Sequence, residues 1–145
     1  MKTINSTKLI FPAKSSNEGY ARGAVASFIA QCDPSVDTLA DIKTAVSEAV
    51  TNCIVHAYPQ TIGLVYITVS LCDNGRVRIK VLDHGVGIAD VQNAMLPMVS
   101  SGGEERSGLG FTVMQTFMDD LKVRSTVGKG TVVTMEKLIA QRSET

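Results

Sequence analysis

Val65-Tyr66-Ile67-Thr68-Val69-Ser70-Leu71-Cys72, Asp73-Asn74-Gly75 and Arg76-Val77-Arg78-Ile79-Lys80-Val81 follow one another without a break. Val65, Ile67, Val69 and Leu71 alternate with Tyr66, Thr68, Ser70 and Cys72, and Val77, Ile79 and Val81 alternate with Arg76, Arg78 and Lys80. A strand turns successive side chains to opposite faces, so both runs read as strands with one apolar face. Asn-Gly between two such runs is a strong hairpin signal. The pattern predicts an antiparallel sheet with helices over one face and solvent or a partner at the other.

Upstream of the hairpin the apolar spacing becomes helical. Leu9-Ile10-Phe11, within Lys8 to Pro12, reads as a short strand, and Pro12 places it at an edge or an end. Ser15-Ser16-Asn17-Glu18 fits a capping box ahead of Ala21, Val25, Phe28 and Ile29 at helical intervals. Cys32-Asp33-Pro34 breaks that helix, and a second runs from Val36 to His56 with Leu39, Ile42, Val46, Ala49 and Cys53 as its apolar stripe. Downstream, the stretch from Asp90 to Ser107 holds Pro97 and Gly102-Gly103 and reads at its polar end as a mobile loop. Ser107-Gly108-Leu109-Gly110 leads into a helix with Phe111, Met114 and Phe117 inward. Two closing strands, Leu121 to Ser125 and Thr131 to Met135, are joined through Gly128-Lys129-Gly130. No repeat or linker divides residues 1–145, which read as a single domain.

Composition narrows the function. With 14 basic and 14 acidic side chains, the chain shows no cationic footprint, so neither nucleic acid nor membrane is expected as a partner. Met1-Lys2-Thr3-Ile4-Asn5-Ser6 lacks the apolar run of a secretory signal, and no segment is apolar for long enough to span a bilayer. Cys32, Cys53 and Cys72 are widely spaced and form no zinc pattern; they read as apolar thiols of a reducing compartment. His56 and His84 are too far apart in sequence to suggest a metal cluster.

The chemistry is carried by polar residues at particular points of this frame. Within Ser47-Glu48-Ala49-Val50-Thr51-Asn52, Glu48 and Asn52 are four apart and share one helix face. A carboxylate there can take a proton from a hydroxyl or water, and a carboxamide oxygen suits Mg²⁺. Asp83-His84-Gly85-Val86-Gly87 leaves a strand with an acceptor for an amino group and glycines that let backbone approach a ligand; an ordinary strand-ending turn has the same composition. It lacks the third glycine of a dinucleotide fingerprint, and Gly128-Lys129-Gly130 lacks the remainder of a Walker loop. Arg106-Ser107-Gly108-Leu109-Gly110-Phe111 is glycine-rich at a helix start, where free N–H groups favour phosphate and Arg106 could pair with it; a flexible turn capped by Ser107 is the plainer reading.

The order of these features is more specific than any one of them. Glu-x-x-x-Asn, a hairpin, Asp-x-Gly-x-Gly, a variable loop, Gly-x-Gly at a helix start and a late Gly130-Thr131 together resemble the Bergerat ATP-binding fold of gyrase, Hsp90, histidine kinases and MutL, over residues 45–135. The resemblance implies an α+β, two-layer sandwich with a mixed, mostly antiparallel sheet and helices on one face. Ala26-Ser27-Phe28-Ile29-Ala30-Gln31, Val46 to Asn52, Glu105-Arg106-Ser107-Gly108 and Phe117-Met118-Asp119-Asp120 further resemble the anti-sigma F factor family, stage II sporulation protein AB.

Members of that family are cytoplasmic, homodimeric serine kinases that hold sigma factor F inactive. They phosphorylate a serine of the anti-anti-sigma factor, stage II sporulation protein AA. The resemblance implies ATP and Mg²⁺ as ligands. It makes Glu48 the general base, Asn52 the Mg²⁺ ligand and Asp83 the adenine reader, with Gly85 and Gly87 lining the adenine pocket. Arg106, Ser107, Gly108 and Gly110 would hold phosphates, Thr131 would close the adenine side, and Arg22 would contact protein partners. His84 stands where relatives carry an acidic or amide residue, and Val99 to Glu104 lacks the family's usual lid lysine and proline. An alternative function is a nucleotide-gated sigma-binding module without phosphotransfer. A sensor histidine kinase is disfavoured, since no phosphoacceptor hairpin precedes the first core strand.

Overall fold

The computed structural model describes residues 2–96 and 105–139, with 105–109 as helical backbone only. The described strands form a five-stranded sheet in the order β1-β2-β3-β5-β4. They are β1 (Thr3–Pro12), β2 (Leu64–Cys72), β3 (Arg76–Asp83), β4 (Asp120–Thr126) and β5 (Gly130–Leu138). The expected mixed, mostly antiparallel sheet is antiparallel at every described pairing. The described α-helices are α1 (Glu18–Ile29), α2 (Val36–Asn52), α3 (Val91–Met95) and α4 (Glu105–Phe117).

The period-two pattern does what its chemistry requires. Val65, Ile67, Val69, Val77, Ile79, Val81, Val133 and Met135 are buried, and they join Ala21, Val25, Ile29, Ile42, Val46 and Val50 of α1 and α2 in one core. Phe111 and Met114 of α4 are buried in the same core, whereas Phe117 is half-buried and Met118 is buried in its place. The Asp73-Asn74-Gly75 turn is a three-residue loop: Gly75 N–H donates to Cys72 O at 3.1 Å, and Gly75 alone in the turn has positive φ, at 81°. This is a turn followed by a left-handed residue, not a two-residue Asn-Gly turn, which would need positive φ at both central positions.

Several local expectations change. β1 begins at Thr3, well before Lys8, because its polar first half also pairs with β2, Thr7 opposite Val69 and, past a register shift between Thr3 and Asn5, Thr3 opposite Cys72. Pro12 closes this edge strand, where its missing N–H does no harm. The capping box does not form. Ser15–Asn17 make a 3₁₀ turn, α1 starts at Glu18 without a side-chain cap, and Glu18 pairs with Arg22 instead. The second helix ends as α-helix at Asn52 and continues as a π-helical turn, Cys53–Ala57. α4 starts at Glu105, so Gly108 and Gly110 lie inside its first turns and not ahead of it. The expected mobile end of the loop, including Val99 to Glu104, lies outside the described residues.

Candidate functional site

A small cavity of about 50 Å³ opens between α2, its π-helical extension, β3, β5 and α4. Asn52, Cys53, His56, Asp83, Gly87 and Thr131 supply its polar or close-approach lining, with Ile88, Phe111 and Val133 among the apolar walls. It is mostly apolar, with few polar groups converging, which is the usual composition of a ligand site.

Asp83 is the best-held of these groups. It is 6% exposed, and its Oδ1 accepts from Gly85 N–H at 2.9 Å and Thr131 N–H at 3.2 Å. Its Oδ2 accepts only from the Cys53 thiol, at 3.6 Å, among the described residues. A carboxylate has about four lone-pair sites and a thiol is a weak donor, so Oδ2 keeps capacity for an amino group entering the cavity. Burial pushes the Cys53 thiol well up, with the Asp83 carboxylate adding to the effect. Cys53 therefore stays a neutral donor.

Thr131 is buried at the start of β5, and its Oγ1 lies 2.7 Å from Ser125 Oγ. Ser125 Oγ also lies 3.0 Å from Gly130 O and accepts from Ile88 N–H at 2.7 Å. One hydroxyl thus ties β4, β5 and the segment after β3 around the cavity wall. Tyr58, outside the cavity lining, ties β2 to the residue after β3. Its hydroxyl accepts from His84 N–H and donates to Leu64 O, each at 2.7 Å. Burial raises its phenol, against the His84 N–H bond.

Glu48 and Asn52 are brought together as their spacing predicts. A Cβ on Gly110 would stand 3.3 Å from Glu48 Oε2 and 3.2 Å from Asn52 Oδ1, so a side chain there would crowd both groups beneath α4. Asn52 Nδ2 is buried without a hydrogen-bond partner among the described residues. An orphaned buried amide costs about 1–3 kcal/mol, which a ligand in the cavity would offset. The carboxamide is thus free to turn its oxygen toward a cation, and the residues present fit Mg²⁺ held by Asn52 together with phosphate oxygens. No cluster of three or more His, Cys, Asp or Glu side chains suited to a metal occurs among the described residues.

The remaining candidates divide. Gly87 lines the cavity, but Gly85 is not among its lining residues. Gly85 is packed on the backbone carbonyl of Ala57, which leaves no room for a Cβ, and its N–H holds Asp83. That bond positions the acceptor. Arg106, Ser107 and Gly108 fall in the first turns of α4, the end of the helix that attracts phosphate. Arg22 lies outside the cavity, bonded to Glu18 at 2.8 Å and to Ser47 Oγ at 3.3 Å, on the α1–α2 surface. His84 is exposed, with its ring edge-to-face on Tyr66 at 5.3 Å. Cys53, Tyr58 and Ser125 had no sequence signal beyond their residue types.

The family model for the histidine kinase-like ATPase domain matches residues 11–137. An anti-sigma F factor of Caldanaerobacter subterraneus subsp. tengcongensis is 54% identical over 142 residues, 97% of this chain and 99% of that protein. The chain belongs to the anti-sigma F factor family, within the histidine kinase-like ATPase domains. An anti-sigma F factor of Clostridium botulinum is 53% identical across 92% of this chain and 94% of its own length. Among solved structures, the RsbU and RsbW domains of a Mycobacterium tuberculosis protein superpose with a TM-score of 0.71 at 17% identity, over 96% of this chain and 33% of theirs. The Erythrobacter litoralis blue-light activated histidine kinase superposes at 0.59 with 26% identity, over 83% of this chain and 41% of its own. The family's fold, an α+β sandwich of antiparallel sheet and helices, is the one described above.

Proposed function

We propose that the chain is an anti-sigma factor and ATP-dependent protein serine kinase, acting as one domain over residues 1–145. It binds sigma factor F and phosphorylates a serine of its anti-anti-sigma factor, stage II sporulation protein AA, as a cytoplasmic homodimer. The observation that carries the reading is one cavity lined by a buried acceptor, Asp83, and by Asn52, with Glu48 outside its lining but beside Asn52 at Gly110. The names carried by its close relatives support the anti-sigma part, and the ATPase family supports the nucleotide.

In this reading adenine lies against Asp83, Gly85, Gly87 and Thr131, and the phosphates lie toward Arg106, Ser107, Gly108 and Gly110 at the start of α4. When bound, Mg²⁺ would offset phosphate charge, with Asn52 as its protein ligand. Glu48 accepts the proton of the substrate serine hydroxyl as that oxygen bonds to the γ-phosphorus and ADP leaves. Arg22, on the α1–α2 surface, is assigned to partner contact.

Glu48→Gln tests this directly. It keeps size and helix propensity and removes the base. With Mg-ATP and the anti-anti-sigma factor, single-turnover phosphorylation read by intact mass is expected to fall about 10²–10⁴-fold. ATP affinity and sigma binding are expected to be retained. Unchanged phosphorylation by the variant removes Glu48 from the chemistry, and no mass shift with the unmodified protein leaves the nucleotide-gated binding module as the function. In the same assay Arg22→Ala is expected to weaken partner titration at constant ATP affinity.

A further inference from the structure

The sheet face turned away from the helices carries a charge pattern that the net charge of zero conceals. On it, Arg78 and Lys80 of β3 and Lys122 and Arg124 of β4 flank the outward side chains of β5 and line an open groove of about 400 Å³. Register places Lys80 and Lys122 on either side of Thr134, and Arg124 beside Val132. Two interstrand spacings put the cationic walls about 9–10 Å apart. Glu136 is the one acidic lining residue, and it is engaged by Arg78 at 3.0 Å and Arg76 at 3.8 Å. No described acidic side chain lies within salt-bridge distance of Lys80, Lys122 or Arg124.

We propose that this groove docks an extended acidic segment of a partner protein, with carboxylates reaching both walls and small apolar side chains resting on Val132 and Thr134. The charge balance of the lining, four cations to one committed anion, calls for an anionic occupant. The floor selects among anions. Val132 and Thr134 offer methyl groups, which suit side chains such as valine or alanine alternating with glutamate or aspartate. The lining has no aromatic ring on which a base could stack. A bilayer surface is planar and does not reach a floor between two walls. The nucleotide cavity opens on the opposite, helix-covered side of the same strands, so both can be filled together. The proposal is independent of the kinase reading.

The test uses the full chain and an acetylated, fluorescein-labelled peptide that alternates glutamate and valine. Anisotropy is expected to report binding that weakens at least ~10-fold as ionic strength rises well above 0.1 M, where screening shortens to about 10 Å or less. Lys80→Glu combined with Lys122→Glu is expected to weaken peptide binding at least ~10-fold more, with ATP affinity unchanged as the measure of intact fold. Should ATP affinity fall, Lys80→Gln with Lys122→Gln takes its place. Absent binding, or equal binding by wild type and the folded variant, overturns the proposal. Tighter binding of oligo-deoxythymidylate or of phosphatidylserine vesicles also overturns it, in favour of those anions.

Discussion

Asp83 is a carboxylate whose two oxygens have different tasks. Oδ1 is committed to two backbone N–H groups, and Oδ2 faces only a weak thiol donor. An asparagine at this position can still accept through its oxygen from Gly85 and Thr131. Its amide nitrogen then replaces Oδ2 and opposes any amino group that enters. Asp83→Asn is therefore expected to fold normally and to bind ATP about 10–100-fold more weakly, the loss of one charge-assisted hydrogen bond of about 1.5–3 kcal/mol. Calorimetry giving wild-type ATP affinity would remove Asp83 from nucleotide recognition. At this scale Asp83, Glu48 and Asn52 stand out in the sequence beside a glycine motif or at a helical interval, and Thr131 through the family resemblance alone. Cys53 was read only as part of an apolar stripe. A thiol aimed at a carboxylate thirty residues further on leaves no trace in local spacing.

Elements were legible where their period was long and clean, and less so where they end. The β2–β3 hairpin and the body of α2 follow directly from alternation and stripe. The π-helical turn after Asn52 does not, because its end is held by a distant residue, Val86, whose N–H donates to Ala57 O at 2.9 Å. Capping at α1 failed for a comparable reason: Glu18 found Arg22 one turn on, and the Asn17 amide went to Pro12 O. The β4–β5 connection gives an element-scale test. Gly128 and Gly130 both have positive φ, at 80° and 126°, but only at Gly130 would a Cβ run into backbone, the carbonyl of Asp83. Gly130→Ala is expected to lose about 1–3 kcal/mol more in urea unfolding than Gly128→Ala. Equal losses in the two variants would mean that the crowding against Asp83 is relieved at no cost.

For the whole molecule, sheet order and the sidedness of its charge were the least legible properties. Arg78 and Lys80 lie more than forty residues from Lys122 and Arg124, and only the insertion of β5 between β3 and β4 makes them two walls of one groove. A net charge of zero excluded a uniformly basic protein, but it says nothing about how charge is divided between faces.

The same sheet order bears on how the chain reaches its fold. β2 with β3, and β4 with β5, are neighbours in sequence and can zip locally. β1 must wait: Thr3 pairs with Cys72, and every rung of that ladder closes a loop containing α1 and α2. Loop closure opposes such contacts until the intervening segments have compacted, so β1, although synthesised before the other strands of this sheet, is expected to be the last or among the last to join it. Pulsed hydrogen exchange during refolding is expected to show amides of β2 and β3 that face each other protected before those of β1. Simultaneous protection of all three strands would instead place the N-terminal ladder in the folding nucleus. If β1 joins late, the outer edge of β2 stays unpaired during synthesis, and that interval is when this chain is most exposed to mispairing with another strand.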